Sequence, residues 1–193
     1  MSFITGTQAE LLYALPASVT KNTYTTQAVI GPLAASAPVP RIPGGYFGEN
    51  PNPLSRALYL KAFGNIANTS TATFSPAIAL DTTAGTALNP ITIYSTTAPT
   101  ASVTAQWDVE AWITCTAFGE TAGMTLQVNG KWTQASVATG GALNATGWGA
   151  SFAGTLTGLT PATTYFVELF GTWSASAAGN TTTVQQMFLF GLN

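Results

Sequence analysis

The sequence has no histidine. That removes Ser-His-Asp and Cys-His catalysis, the common zinc sites and the usual pH switch. Charge is nearly as scarce. Only 6% of the 193 residues are charged, against about 25% in an ordinary soluble domain. The five basic residues, Lys21, Arg41, Arg56, Lys61 and Lys131, are scattered. A phosphate-binding surface needs them clustered, so direct nucleic-acid binding is not expected. There is one cysteine, Cys115, so no intrachain disulfide can form. No apolar run approaches the roughly 20 residues of a membrane-crossing helix, and "MSFITGTQAELL" lacks the basic flank of a secretory signal. The expectation is a protein made in a cytoplasm, with no membrane partner. A surface so poor in charge makes sense if identical neighbours cover much of it.

What is present reads as β-structure. Thr, Ala, Ser and Gly dominate, and short segments of β-branched and aromatic residues alternate with turn signals. The spacing predicts strands in "NTYTTQAVIG" (22–31), "ALYLKAFGNIA", "TFSPAIAL", "ITIYST", "QWDVEAWITC", "WGASFAGTLTGL", "TTYFVELFGTW" and "TTTVQQMFLFGLN". "MTLQVNGKWTQASV" predicts a hairpin turning at Asn129-Gly130. "TQAELLYALP" fits a capped helix or a short strand equally well. Six of the eleven prolines fall within 32–53, which predicts an extended loop, with "GGYF" (44–47) as a brief strand. "LTGLTPATTY" leads a tyrosine into a strand in the manner of a tyrosine corner. The expected fold is all-β: one antiparallel jelly-roll-like β-sandwich over residues 21–193. Residues 1–20 are expected to form an N-terminal arm or a first short element.

Two features ask for a partner. In "QWDVEAWITC", Trp107, Val109, Ala111, Ile113 and Cys115 point one way, and Asp108, Glu110, Trp112 and Thr114 the other. A tryptophan on that polar face needs something to cover it. In "TYFVELFGTW" and "VQQMFLFGL" both sides carry large apolar groups: Phe166 and Phe170 stand opposite Tyr165 and Val167, and Met187 and Leu189 opposite Val184 and Phe188. Trp112, Phe166, Phe170, Met187 and Leu189 are therefore the expected subunit-interface residues. Asp108 and Glu110 stand about 7 Å apart on one strand face. Paired carboxylates at such separations serve glycosidases, but a solvated or interface-lining face explains them more simply. No enzyme activity, cofactor or metal is expected.

The order "ELLYA", "NTYTTQAVIG", "RIPGGYF", "RALYLKAFGNIA", "ALDTTAG", "QWDVEAWITCTAFGETAGMTLQVNGKW" and "FVELFGTWSASAAGNTTTVQQMFLFGLN" resembles a group of virion structural proteins of tailed bacteriophages, especially those of actinobacterial hosts. The resemblance spans nearly the whole chain. It implies a jelly-roll-like sandwich assembled as a homotrimer, either a capsid decoration (cement) protein or a minor head or tail component. One departure is that "CTAFG" lacks the basic residue that the group often carries before this glycine. On this reading the partner is the major capsid protein and the location is the outer capsid surface of the virion. Phe3, Ile4, Leu11, Leu12 and Arg41, in the arm and the proline-rich segment, are the candidate capsid contacts. The alternative is a carbohydrate- or receptor-binding head-fibre or tail module, with Trp112, Trp132 or Trp148 stacking on sugars.

Overall fold

A computed structural model describes residues 9–22, 24–32, 39–48, 56–68, 72–85, 90–92, 103–119, 121, 123–137 and 143–192. Of residues 90, 92, 103, 135–137 and 143–150 it describes the backbone. Among these residues there is no helix. Twelve strands form two antiparallel sheets packed as a sandwich: β1 (Ala9–Ala14), β2 (Val19–Asn22), β3 (Ala28–Val29), β4 (Arg41–Ile42), β5 (Ala57–Asn68), β6 (Phe74–Asp81), β7 (Pro90–Thr92), β8 (Val103–Ala117), β9 (Met124–Val137), β10 (Leu143–Leu159), β11 (Tyr165–Trp173) and β12 (Thr181–Leu192). The seven-stranded sheet runs β1-β12-β5-β8-β9-β10, with β2 also on β12. The five-stranded sheet runs β3-β11-β6-β7, with β4 also on β11.

Alternation decides the core. On β5, Leu58, Leu60, Ala62 and Ile66 are fully buried, and on β8, Ala105, Val109, Ala111 and Ile113 are too. Trp107 stacks on Trp132 of β9 with centroids 4.8 Å apart and planes 10° from parallel. Phe74 of β6 packs against Trp132 at 6.5 Å and Trp173 of β11 at 5.1 Å, so aromatic rings join the two sheets. Cys115 is buried, and burial raises its thiol pKa. The corner before β11 forms as expected: the Thr160 amide donates to the Tyr165 hydroxyl at 2.8 Å.

Several elements differ from the sequence expectation. Of the helix and the short strand that the sequence allows equally, residues 9–14 form the strand, paired to the end of β12. With β2 they tie residues 9–22 into the sheet edge, and residues 1–8 of the expected arm or first short element lie outside the described residues. The expected strand over 22–31 breaks into the end of β2 and the two-residue β3. The chain crosses here from the edge of one sheet to the edge of the other. Tyr24 is buried at the crossing, its hydroxyl donating to Thr182 Oγ1 at 3.0 Å. "GGYF" is a turn: Gly45 has φ 85°, and the Gly48 amide donates to the Gly45 carbonyl. The brief strand lies just before it, at β4.

Asn129-Gly130 is not a turn. β9 runs straight through it, with Gly130 opposite both Ala111 and Phe152. A type I′ turn needs positive φ, which Gly130 does not have. Its glycine answers a different need. A Cβ there would stand 2.2 Å from the Glu110 carbonyl oxygen and 2.5 Å from the Phe152 ring. The missing side chain lets Phe152 lie across the strand.

Candidate functional site

The outer face of the seven-stranded sheet gathers Lys61, Asp108, Glu110 and Lys131 beside a row of aromatic side chains. Its layout depends on a bulge in β12. The pairing of β12 with β5 shifts between Val184 and Gln186, leaving Gln185 outside the ladder. A bulge adds one residue and reverses which side chains face in. Val184 faces the core, and after the bulge so do Met187 and Leu189, all fully buried. Phe188 and Phe190 turn outward and are half-buried. The sequence expectation, counted without the bulge, is thus corrected: Met187 and Leu189 belong to the chain's own core. Phe170 is corrected likewise. It is 1% exposed and packs with Val29, Ala77 and Ala79 on the outer side of the five-stranded sheet. Phe166 is half-buried, paired in register with Arg41 and Asp81.

Three tiers cross the outer face. The first holds Leu11, Phe190, Tyr59 and Trp112, which are register partners across β1, β12, β5 and β8. Tyr59 lies 5.0 Å from Trp112 and 6.2 Å from Phe190, ring centre to ring centre. Leu11 is 54% and Trp112 43% exposed, the large apolar side chains that the described fold leaves uncovered. The second tier is Phe188, Lys61, Glu110 and Lys131. Lys61 Nζ sits 2.8 Å from Glu110 Oε1 and 2.5 Å from Asp108 Oδ2, and Lys131 Nζ lies 3.2 Å from Glu110 Oε2. Burial works against the Lys61 charge, but hydrogen bonds to Asp108 and Glu110 outweigh it and raise its pKa. The Lys61 hydrogen bond, with help from Lys131, holds Glu110 below the usual carboxylate range. A general acid needs the opposite shift, so Glu110 is ill suited to that role.

The third tier is a groove of about 480 Å³ lined by Phe63, Gly64, Gln106, Trp107, Asp108, Thr133, Gln134 and Gln185. Sequence reasoning missed it. The signal was the doublet Gln185-Gln186 between Val184 and Met187, which breaks strand alternation.

The five-stranded sheet carries a different carboxylate. Glu168 is 2% exposed, and the Gly85 amide donates to both its oxygens, at 2.9 and 3.0 Å. Burial, with the neighbouring Asp81 adding to it, pushes its pKa up to about 7 against the Gly85 hydrogen bond. Asp81 itself accepts from the Thr83 amide at 3.0 Å.

The other expected site residues that the structure describes lie on separate strands. Leu12 is half-buried, beside the exposed Leu11 on β1. Arg41 is exposed on β4, in the opposite sheet. Phe3 and Ile4 lie outside the described residues, as does the Trp148 side chain. Trp132 is 1% exposed and stacked on Trp107, so it does not present a platform for sugars. Among the described residues no group of three or more Cys, Asp or Glu gathers as a metal site.

No protein-family model matches the chain, and no curated protein matches it. Among solved structures, the CBM2 module of the evolved Dit of Lactobacillus casei BL23 phage J-1 overlaps with a TM-score of 0.36 and 12% identity, over 97% of each chain. A legume lectin-like domain from Entamoeba histolytica overlaps with a TM-score of 0.26 and 8% identity, over 90% of this chain and 89% of that one.

Proposed function

We propose that this chain is a structural protein of a tailed-phage virion, a decoration protein that acts as a homotrimer on the outer capsid surface. The observation that carries the association is the tier Leu11–Phe190–Tyr59–Trp112. It is an apolar row across four strands, rimmed by the Lys61, Glu110 and Lys131 charges. An apolar, aromatic centre with a polar rim is the anatomy of a protein–protein contact. The proposed interface keeps Trp112, and Phe190, Tyr59 and Leu11 take the places of Phe170, Met187 and Leu189. The sequence resemblance supplies the virion setting. The mechanism is mechanical: a trimer over a junction of major capsid protein subunits ties them together, and contacts too weak singly add through multivalency. With 6% charged residues, that grip changes little with salt.

Light scattering at micromolar concentration tests the assembly. The expected mass is three times that of the chain, and Leu11→Ser with Trp112→Ser shifts it to monomer while the far-ultraviolet spectrum stays unchanged. A wild-type monomer overturns the proposal. Purified protein is also expected to bind phage shells that lack it and to raise their resistance to heat. Shells left bare overturn the capsid role.

A further inference from the structure

We propose that the groove at the β12 bulge binds a neutral sugar. The site goes beyond the virion role, and it lies apart from the aromatic row. Phe63 is four residues along β5 from Tyr59, about 13 Å at strand spacing.

The backbone builds the groove. At Gly64 the bulged strand comes so close that a Cβ would stand 1.8 Å from the Thr183 carbonyl oxygen and 2.9 Å from the Trp107 ring. Glycine is what this approach requires. The bulge leaves Gln185 exposed, off the ladder and lining the groove. Bulges recur beside binding sites because they re-aim a side chain in this way.

The lining selects the chemistry. Phe63 gives an aromatic wall. Gln106 and Gln185 each offer a carbonyl oxygen and an NH₂ group, Thr133 a hydroxyl, and Asp108 a carboxylate. The ligand must therefore carry donors and acceptors on one side and an apolar surface on another. A sugar ring has hydroxyls around its rim and C–H groups on its faces. An anion fits poorly. No cation lines the groove among the described residues, and Lys61, alongside, is held by Asp108 and Glu110. A purely apolar ligand would strand two amides and a carboxylate without water. An extended peptide adding as a strand needs a free backbone edge, and here β5, β8 and β9 are paired on both sides. At about 480 Å³ the space is that of a small-molecule site.

The test is a two-dimensional NMR titration of the assembled protein with D-glucose, D-galactose, N-acetyl-D-glucosamine and L-rhamnose in turn. At least one is expected to give saturable shifts in the backbone amides of Gly64, Asp108 and Gln185 and in the side-chain NH₂ groups of Gln106 and Gln185. The expected Kd is in the millimolar range, ordinary for a ligand this small in an open site. Gln185→Ala, exposed and off the ladder, is expected to keep the fold and weaken binding about tenfold, the loss of one or two hydrogen bonds. Phe63→Ala is expected to do the same. If no sugar gives saturable shifts, if shifts cluster at Trp112 instead, or if Gln185→Ala binds as wild type does, the site is refuted. Light scattering on the same samples reads assembly separately, so a failure of sugar binding is distinguishable from a failure of the trimer.

Discussion

On the seven-stranded sheet, outward side chains stay at the surface: Trp112 and Leu11 are exposed, and Tyr59, Phe188 and Phe190 half-buried. On the five-stranded sheet, the outward side of β11 is closed. Phe170 and Glu168 are buried, and Phe166 is half-buried. Both faces hold aromatic rings and carboxylates, yet their electrostatics are opposite. Glu110 keeps two lysines and a lowered pKa, whereas Glu168 has one backbone amide and a raised one. A strand that is apolar on both sides must be covered on both sides. The difference between the sheets teaches that the cover can be the chain itself, so two-sided apolarity alone does not call for a partner.

The comparison breaks most sharply at Phe170. Truncating a fully buried phenylalanine costs about 3–5 kcal/mol. Phe170→Ala is therefore expected to lower unfolding free energy by that amount in urea titrations. Trp112→Ala removes a ring that is 43% exposed and is expected to cost the isolated chain about 1 kcal/mol or less. Equal losses at the two sites would mean that the outer faces are not different in kind.

Glu168 sharpens the contrast through pH. Its pKa rises from the ordinary 4.5 to about 7 on folding. Stability tied to it is complete below about 4.5, where the group is neutral folded or unfolded, and is lost as pH rises through 7. Unfolding free energy is thus expected to fall by about 1–3 kcal/mol between pH 5 and pH 8. Asp81 is the charged neighbour that the fold brings to bear on it. Glu168→Gln is expected to flatten that slope, matching wild type at pH 5 and exceeding it at pH 8. A wild-type slope in the variant would assign the dependence elsewhere.

Strands with regular alternation were legible. β5 and β8 place the residues expected inside at full burial, and Tyr165 makes the corner its motif announces. Failures came where one residue changed the meaning of a pattern. Gly130 next to Asn129 looks like a turn because composition cannot show that Phe152 needs the space. The faces of β12 were inverted because parity was counted through Gln185, although two glutamines in a row marked the shift. Parity places Phe170 on the outward side of β11 but does not show that it packs there with Val29, Ala77 and Ala79 of the flanking strands. The outward exposure of Trp112 was legible because strand parity puts its indole on the face of Asp108, Glu110 and Thr114. The groove was not, since its walls come from β5, β8, β9 and β12, and only pairing unites them.

The smallest expected effect lies in the Lys61 cluster, on the acid side. Glu110's lowered pKa means its contribution is present above about 4.5 and lost as pH falls through the folded value, the reverse of Glu168. The cluster is partly solvated: Lys61 is 25% and Asp108 34% exposed at the side chain. Solvent screening then limits the pair to about 1 kcal/mol or less. Lys61→Met keeps the aliphatic stem against its neighbours and removes the charge. It is expected to cost that much at pH 7, to cost less at pH 3, and to leave the slope between pH 5 and 8 untouched. Were the substitution instead to change that neutral-range slope, the two outer faces would be electrostatically coupled through the core, and their opposite responses to pH could not be assigned to Glu110 and Glu168 separately.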